Sequence, residues 1–304
     1  MTTSHTRYEL LRVGTQRFTR ALHRLEGGDG RAFDTAWVAV RRLRELLPVL
    51  QADPDAVRKL SVRLRKLNRR LAAARDLGRV LQALDDVMAS EPRGRQAASR
   101  VRADVQKLFE HARADLTRKK TTHETDRLSA KLAGLTHRVK VADTPRTSLR
   151  DLRWAVNARI ARRAVSLKDA ILAAGSVYLA ERLHRVQVVL TKLRFGAELG
   201  AQAVVGVTAA DRRAIVRLQS LLDRLQQIQL LIDRIRHVQS SLATPDLKAW
   251  RDLDNLVTFL ERRCRALHAR YIRERDALIT LCDGLVARAP LAPRRASGAK
   301  RKAS

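Results

Sequence analysis

Arg41, Arg42, Arg44, Arg58, Lys59, Arg63, Arg65, Lys66, Arg69, Arg70 and Arg75 crowd one short stretch of the chain. Only Glu45 and a few aspartates oppose them there. Guanidinium groups donate in pairs to phosphate oxygens, and ammonium groups add mobile point charges. The chemistry open to such a set is the holding of an anion. Keeping this much like charge side by side works against the stability of the free protein, and an anionic partner supplies the reason. Further candidates stand in the second half of the sequence: Arg153, Arg159, His184, Lys192 and Arg194. His184 can donate to an anion from one ring nitrogen.

The spacing of apolar residues shows what must position these groups. Ala36, Val40, Leu43 and Leu47 step by four, three and four residues, which is one face of an α-helix. Asp53 and Pro54 supply an N-cap and a first-turn proline, after which Leu60, Leu64, Leu67 and Leu71 repeat the step. A basic helical hairpin is expected. Punctuation extends the reading to an all-α chain. Gly27-Gly28-Asp29-Gly30 closes a helix of about residues 5–26, a second helix reaches Leu50, and a third runs from Pro54 to about Ser90. Glu91-Pro92-Arg93-Gly94 breaks the chain before a fourth, interrupted helix to about Val141. Thr144-Pro145 starts a fifth that reaches Gly175, and a sixth ends near Gly196–Gly200. Thr208 with Asp211 makes a capping-box start for a seventh, and Thr244-Pro245 opens a long eighth that fades before Pro290.

The halves look alike. Residues Val38–Arg44 align with Val188–Arg194 at an offset of 150, and Leu67, Leu71 and Val80 are echoed by Leu218, Leu222 and Leu231. A duplicated four-helix unit is the economical account, over residues 1–143 and 144–288. Residues 289–304, APLAPRRASGAKRKAS, read as a disordered basic tail.

Sixty-two Lys and Arg against 31 Asp and Glu give the 304-residue chain a formal net charge of +31 and a pI near 11.6. Hydrophobic residues still make up 45% and fall in periodic order, so this is a folded basic protein and not a charged tail. No run of 18 apolar residues exists, so no membrane span is expected, and MTTSHTRYELLRV lacks the apolar core of a secretory signal. Cys264 and Cys282 fall on one expected helix, where a rise of about 1.5 Å per residue puts them about 27 Å apart. No disulfide or thiolate metal site follows, and a reducing cytoplasm is the natural setting.

These features resemble the CHAD domain family, a histidine-containing α-helical domain associated with inorganic polyphosphate. The family hallmark reads roughly V-H-x-L-R-V-x-x-[RK]-[RK]-L-R once per half, followed by a helix ending near A-R-D-L. Leu183–Phe195 carries the second-half version, Phe33–Arg44 the first, and Ala74-Arg75-Asp76-Leu77 the ending. Asp34 stands where the first histidine belongs and Trp37 where the first arginine belongs. Gln187 and Thr191 replace basic residues of the second half, and Gln226-Gln227-Ile228-Gln229 replaces the second aspartate-bearing ending. The resemblance implies an all-α fold of two antiparallel four-helix bundles related by pseudo-twofold symmetry, and a polyphosphate partner at cytoplasmic granules.

On this reading Asp34, Trp37, Arg41 and Arg44 face His184, Gln187, Thr191 and Arg194 across one groove. Arg42, Arg63, Lys66, Arg70, Arg75, Arg153, Arg159 and Lys192 extend it. No cofactor is expected. The eight histidines are scattered without an i,i+4 pair, so no metal site is expected either. The chain has no G-x-x-x-x-G-K-[ST], G-x-S-x-G or H-E-x-x-H, nor the acidic E-x-E-x-K of the triphosphate-tunnel domains often fused to CHAD domains, so it reads as a non-enzyme. Trp37, Trp154 and Trp250 read as core or bundle-edge packing. Aromatics at 4%, not interleaved with the basic runs, weaken a single-strand nucleic-acid reading. Nonspecific nucleic-acid binding and a structural coat on storage granules remain the rival functions.

Overall fold

A computed structural model describes residues 6–26, 32–90, 95–142, 145–241 and 247–289. Among these, the chain forms nine α-helices and one 3₁₀ turn: α1 (Arg7–Glu26), α2 (Ala32–Leu46), the 3₁₀ turn (Leu47–Val49), α3 (Pro54–Ser90), α4 (Arg95–Thr117), α5 (Lys119–Ala142), α6 (Pro145–Ala174), α7 (Ala180–Gln202), α8 (Ala209–Ser240) and α9 (Leu247–Ala287). The glycine cluster after α1, the Glu91–Gly94 break, Thr144, Thr244-Pro245 and the tail from Pro290 lie outside the described residues.

Local chemistry sets several helix ends. Asp53 Oδ1 accepts from the Asp55 amide at 3.0 Å ahead of Pro54, capping α3. Thr208 and Asp211 exchange side-chain-to-backbone bonds of 3.0 and 2.8 Å, a complete capping box on α8. Gly175 follows α6 at φ +67°, a left-handed conformation that costs glycine little. Pro48 lies inside the 3₁₀ turn, where the second helix gives up α geometry before Leu50. The expected interruption of the fourth helix falls at Arg118. There Thr117 Oγ1 donates to the carbonyls of Arg113 and Ala114, and Thr121 Oγ1 donates to that of Asp115. Such back-bonding competes with the helical ladder and bends it.

One expectation fails for a non-local reason. Gly196 and Gly200 do not end α7, which continues to Gln202. A Cβ on Gly200 would lie 2.8 Å from Ile160 Cδ1, so the glycine serves the close approach of α7 to α6.

The helices pack in the same order in both halves: α1 on α2 on α3 on α4, and α6 on α7 on α8 on α9. The bend at Arg118 lets the fourth rod leave α3 as α4 and reach α1 as α5, whereas the unbroken α9 touches both α8 and α6. Corresponding helices then meet between halves, α2 on α7, α3 on α8 and α4 on α9. Two apolar cores result, and each draws on both halves. The larger holds Phe18, Leu43, Leu64, Leu71, Leu190 and Tyr271; the smaller holds Leu84, Val101, Leu231 and Leu260. Each such leucine contributes about 1.5–3 kcal/mol relative to exposure. A polar seam separates the cores where α3 meets α8. In it Gln227 Nε2 donates to the Arg79 carbonyl at 2.6 Å, and Arg79 pairs with Asp223 at 3.5 Å. Cys264 and Cys282 are free and buried on α9. No helix of the described residues is long and apolar enough to cross a membrane.

Candidate functional site

The contact of α2 with α7 brings the two basic stripes together, and α3 and α6 flank it. Val40, Leu43 and Leu47 of the first stripe and Leu190 and Leu193 of the second sink into the core, whereas Arg41, Arg44 and Lys192 stay partly exposed at its rim. Arg41, Arg44 and Lys192 meet there. Their mutual influence shows in their acidities. Burial first, then Arg44 and Arg75, pull Arg41 down to about 10. Burial, with Arg65 next, lowers Arg44, and burial, then Arg163 and Arg41, lowers Lys192. Among the described residues none of the three has a carboxylate within ion-pair distance, and Arg41 Nε is buried without an acceptor.

Beside this trio the cations are paired. Glu45, 6% exposed, takes Arg159 Nε at 2.6 Å and Arg163 Nη2 at 2.9 Å, both from α6. Arg159 Nη2 also donates to the Arg44 carbonyl at 3.4 Å. On α3, Arg75 Nε donates to Asp34 at 2.6 Å, and its guanidinium lies over the Trp37 ring. Arg41 lies over the same ring, 4.9 Å from its centroid. Trp37 itself packs edge-on to Phe195 of α7, and its Nε1 is buried without an acceptor. Asp76 is held above the usual carboxylate range by burial, against the opposing pull of Arg75, Arg79 and His184. His184 is exposed at the α7 end of this run.

Other candidates lie apart from that centre. Arg42 and Arg194 share Glu198, at 2.9 and 3.2 Å, on the side toward α1. Arg63, Lys66 and Arg70 line a separate cavity between α3 and α5. Arg153 Nε donates to the Ala203 carbonyl at 3.2 Å and so holds the C-cap of α7. Thr191 is buried and donates to the Gln187 carbonyl and to Gln219 Oε1, so it supports the groove from behind. Trp37 is core packing, whereas Trp154 and Trp250 are 38% and 49% exposed. Arg163 and Arg79 join the site although the sequence does not single them out, and Arg65 of the basic stretch joins it beside Arg44. The i,i+4 pairs Arg159/Arg163 and Arg75/Arg79 were the available signal.

A family model of the CHAD domain matches residues 13–236, most of the chain. The chain belongs to the CHAD domain family. No curated protein matches it. Two solved structures share its fold. The crystal structure of the CHAD domain from the plant Ricinus communis is 19% identical with a TM-score of 0.60, covering 96% of this chain and 97% of that one. PptA from Streptomyces chartreusis is 17% identical with a TM-score of 0.54, covering 93% and 97%. Within the CHAD frame, Asp34 and His184 hold corresponding places on α2 and α7. Asp34 fixes Arg75 of α3, while His184 acts on the neighbouring Asp76. In the second half Gln187 of α7 and Gln219 of α8 both donate to Asp223 Oδ1 at 2.6 Å.

Proposed function

We propose that this CHAD protein binds inorganic polyphosphate without chemical turnover, and that the polymer lies along the basic groove where α2 meets α7. One observation carries the reading. Arg41, Arg44 and Lys192 are gathered where burial and mutual repulsion penalise their charge, and no carboxylate of the described residues pairs with them. Phosphate oxygens supply what the cluster lacks. A charge-assisted contact of this kind contributes about 1.5–3 kcal/mol. Repeating phosphates along a chain can meet several cations at once, with release of counterions from the polymer. The association of CHAD domains with polyphosphate-related proteins supports the same ligand, and the setting we infer with it is polyphosphate granules in the cytoplasm.

A salt-series competition tests the reading. Labelled long-chain polyphosphate is displaced by duplex DNA and by heparin at equal charge concentration. Polyphosphate retained at salt concentrations that release the other two is the expected result. Simultaneous release of all three would make the protein a general polyanion binder, with nucleic acid its more abundant ligand.

A further inference from the structure

We propose that the cavity between α3 and α5 is a second anion site, separate from the α2–α7 groove, which takes the terminal phosphoryl group of a short phosphate compound. The cavity measures about 250 Å³. Arg63, Lys66 and Arg70 of α3 line it on one side and Arg127 of α5 on the other. Buried Leu67, Leu128, Thr121 and Thr125 also line it. Its one carboxylate, Glu124, is already engaged by Lys66 at 3.7 Å and by Arg70 at 3.2 Å. Arg70 Nη1 lies 3.4 Å from Thr121 Oγ1, so that guanidinium is held across the gap between the helices. Arg63 and Arg127 have no carboxylate partner among the described residues. Four cations against one carboxylate leave a net charge of +3 on the lining of a small concave space.

Size and charge select the occupant. The volume falls below the roughly 300–1,000 Å³ of cavities built for drug-sized ligands, so the guest is small. A terminal phosphoryl group carries about −1.5 to −2 near neutral pH, more than an internal phosphate of a chain, and so gains most from concentrated cations. The helical period also keeps the two sites apart. Arg65 and Arg75 turn toward the groove, as their effects on Arg44 and Arg41 show, whereas Arg63, Lys66 and Arg70 line the cavity facing α5. The bend at Arg118 that separates α5 from α4 brings Thr121 and Glu124 to the cavity. The proposal rests on the polyphosphate reading only in its choice of anion.

Calorimetric titration of the full chain with inorganic triphosphate tests it. Triphosphate should bind, R63A/R127A should weaken it by about tenfold or more, and R41A/R44A/K192A should weaken it clearly less. Both pocket arginines are exposed, so their loss spares the core. Absence of triphosphate binding overturns the proposal. So does an affinity that falls with the groove substitutions as much as with the pocket substitutions. Long-chain polyphosphate with free or chemically capped ends then identifies the source of the phosphoryl group. A loss on R63A/R127A confined to free-ended chains assigns the cavity to chain ends. Triphosphate sensitivity with no loss for either polymer assigns it to free short phosphates. Equal losses for capped and free chains overturn the restriction to a terminal group. Failure of long chains to bind the unsubstituted protein would sink the groove reading while leaving the triphosphate result standing.

Discussion

The guanidinium of Arg75 lies over the Trp37 ring, 3.9 Å from its centroid. Its Nε donates to Asp34 on the same neighbouring helix, one turn before Trp37. Asp34 and Trp37 stand where the CHAD hallmark has a histidine and an arginine in the first half, and they act on one arginine together. The aspartate fixes it by charge and the indole by its electron-rich face. A position that the family fills with a cation thus holds an aromatic platform for two cations, Arg75 and Arg41.

Trp37→Ala should therefore cost about 3–5 kcal/mol of stability, because the ring is 7% exposed and also packs on Phe195. Trp37→Phe keeps a face for the guanidinium groups and should cost less than half as much. Urea unfolding of the two variants checks this. Equal losses would mean that ring volume matters and the stacked cations do not.

Glu45→Gln should be strongly destabilising, by about 3–5 kcal/mol, since it leaves Arg159 and Arg163 beside Arg41, Arg44 and Lys192 with no balancing charge. Polyphosphate should restore much of the loss by taking the place of the carboxylate. Thermal unfolding with and without the polymer reads both effects. A variant that is destabilised yet gains no more from polyphosphate than the parent would place Glu45 outside the ligand's reach.

Glu198→Gln should raise polyphosphate affinity severalfold and steepen its salt dependence, because it frees Arg42 and Arg194 together. The stability cost should stay near 0–1 kcal/mol per pair, as all three side chains are partly exposed. Binding isotherms at several salt concentrations decide the matter. Unchanged affinity would show that these two arginines lie beyond the polymer's path.

Lys192 sets a pH dependence. Its pKa is depressed below 10.5 in the free protein, by burial and then by Arg163 and Arg41, and a bound anion pushes it back up. Free protein then binds fewer protons than the complex in the alkaline range, so affinity should fall as pH rises toward 10.5 and binding should take up protons there. Lys192→Arg should move the decline to higher pH. A pH-independent affinity across that range would exclude Lys192 from the contact.

The sequence exposes those features whose causes are local. Asp53 before Pro54 and Thr208 before Asp211 signal helix starts because each cap bonds to residues two or three positions on. Gly200 lies two residues inside the end of α7, and its reason is Ile160 on another helix, which a Cβ there would meet at 2.8 Å. The same division holds for the site. Arg41, Arg44 and Lys192 fall on expected helix rims, so their meeting follows from α2 packing on α7. The engagements of Arg153 with Ala203, of Arg42 with Glu198 and of Arg159 with Glu45 join residues 50 to 156 positions apart, and no periodicity reveals them. Arg163 is missed for the same reason, since the Glu45 that engages it lies 118 positions away on another helix.

The most direct test of the central claim compares the groove with the basic tail. Polyphosphate affinity is measured for the parent chain, for R41A/R44A/K192A and for a chain lacking residues 289–304. The groove substitutions should lower affinity by about a hundredfold or more, from three charge-assisted contacts of about 1.5–3 kcal/mol each, and the truncation far less. A larger loss on truncation than on substitution would contradict the account and place the polymer on the tail.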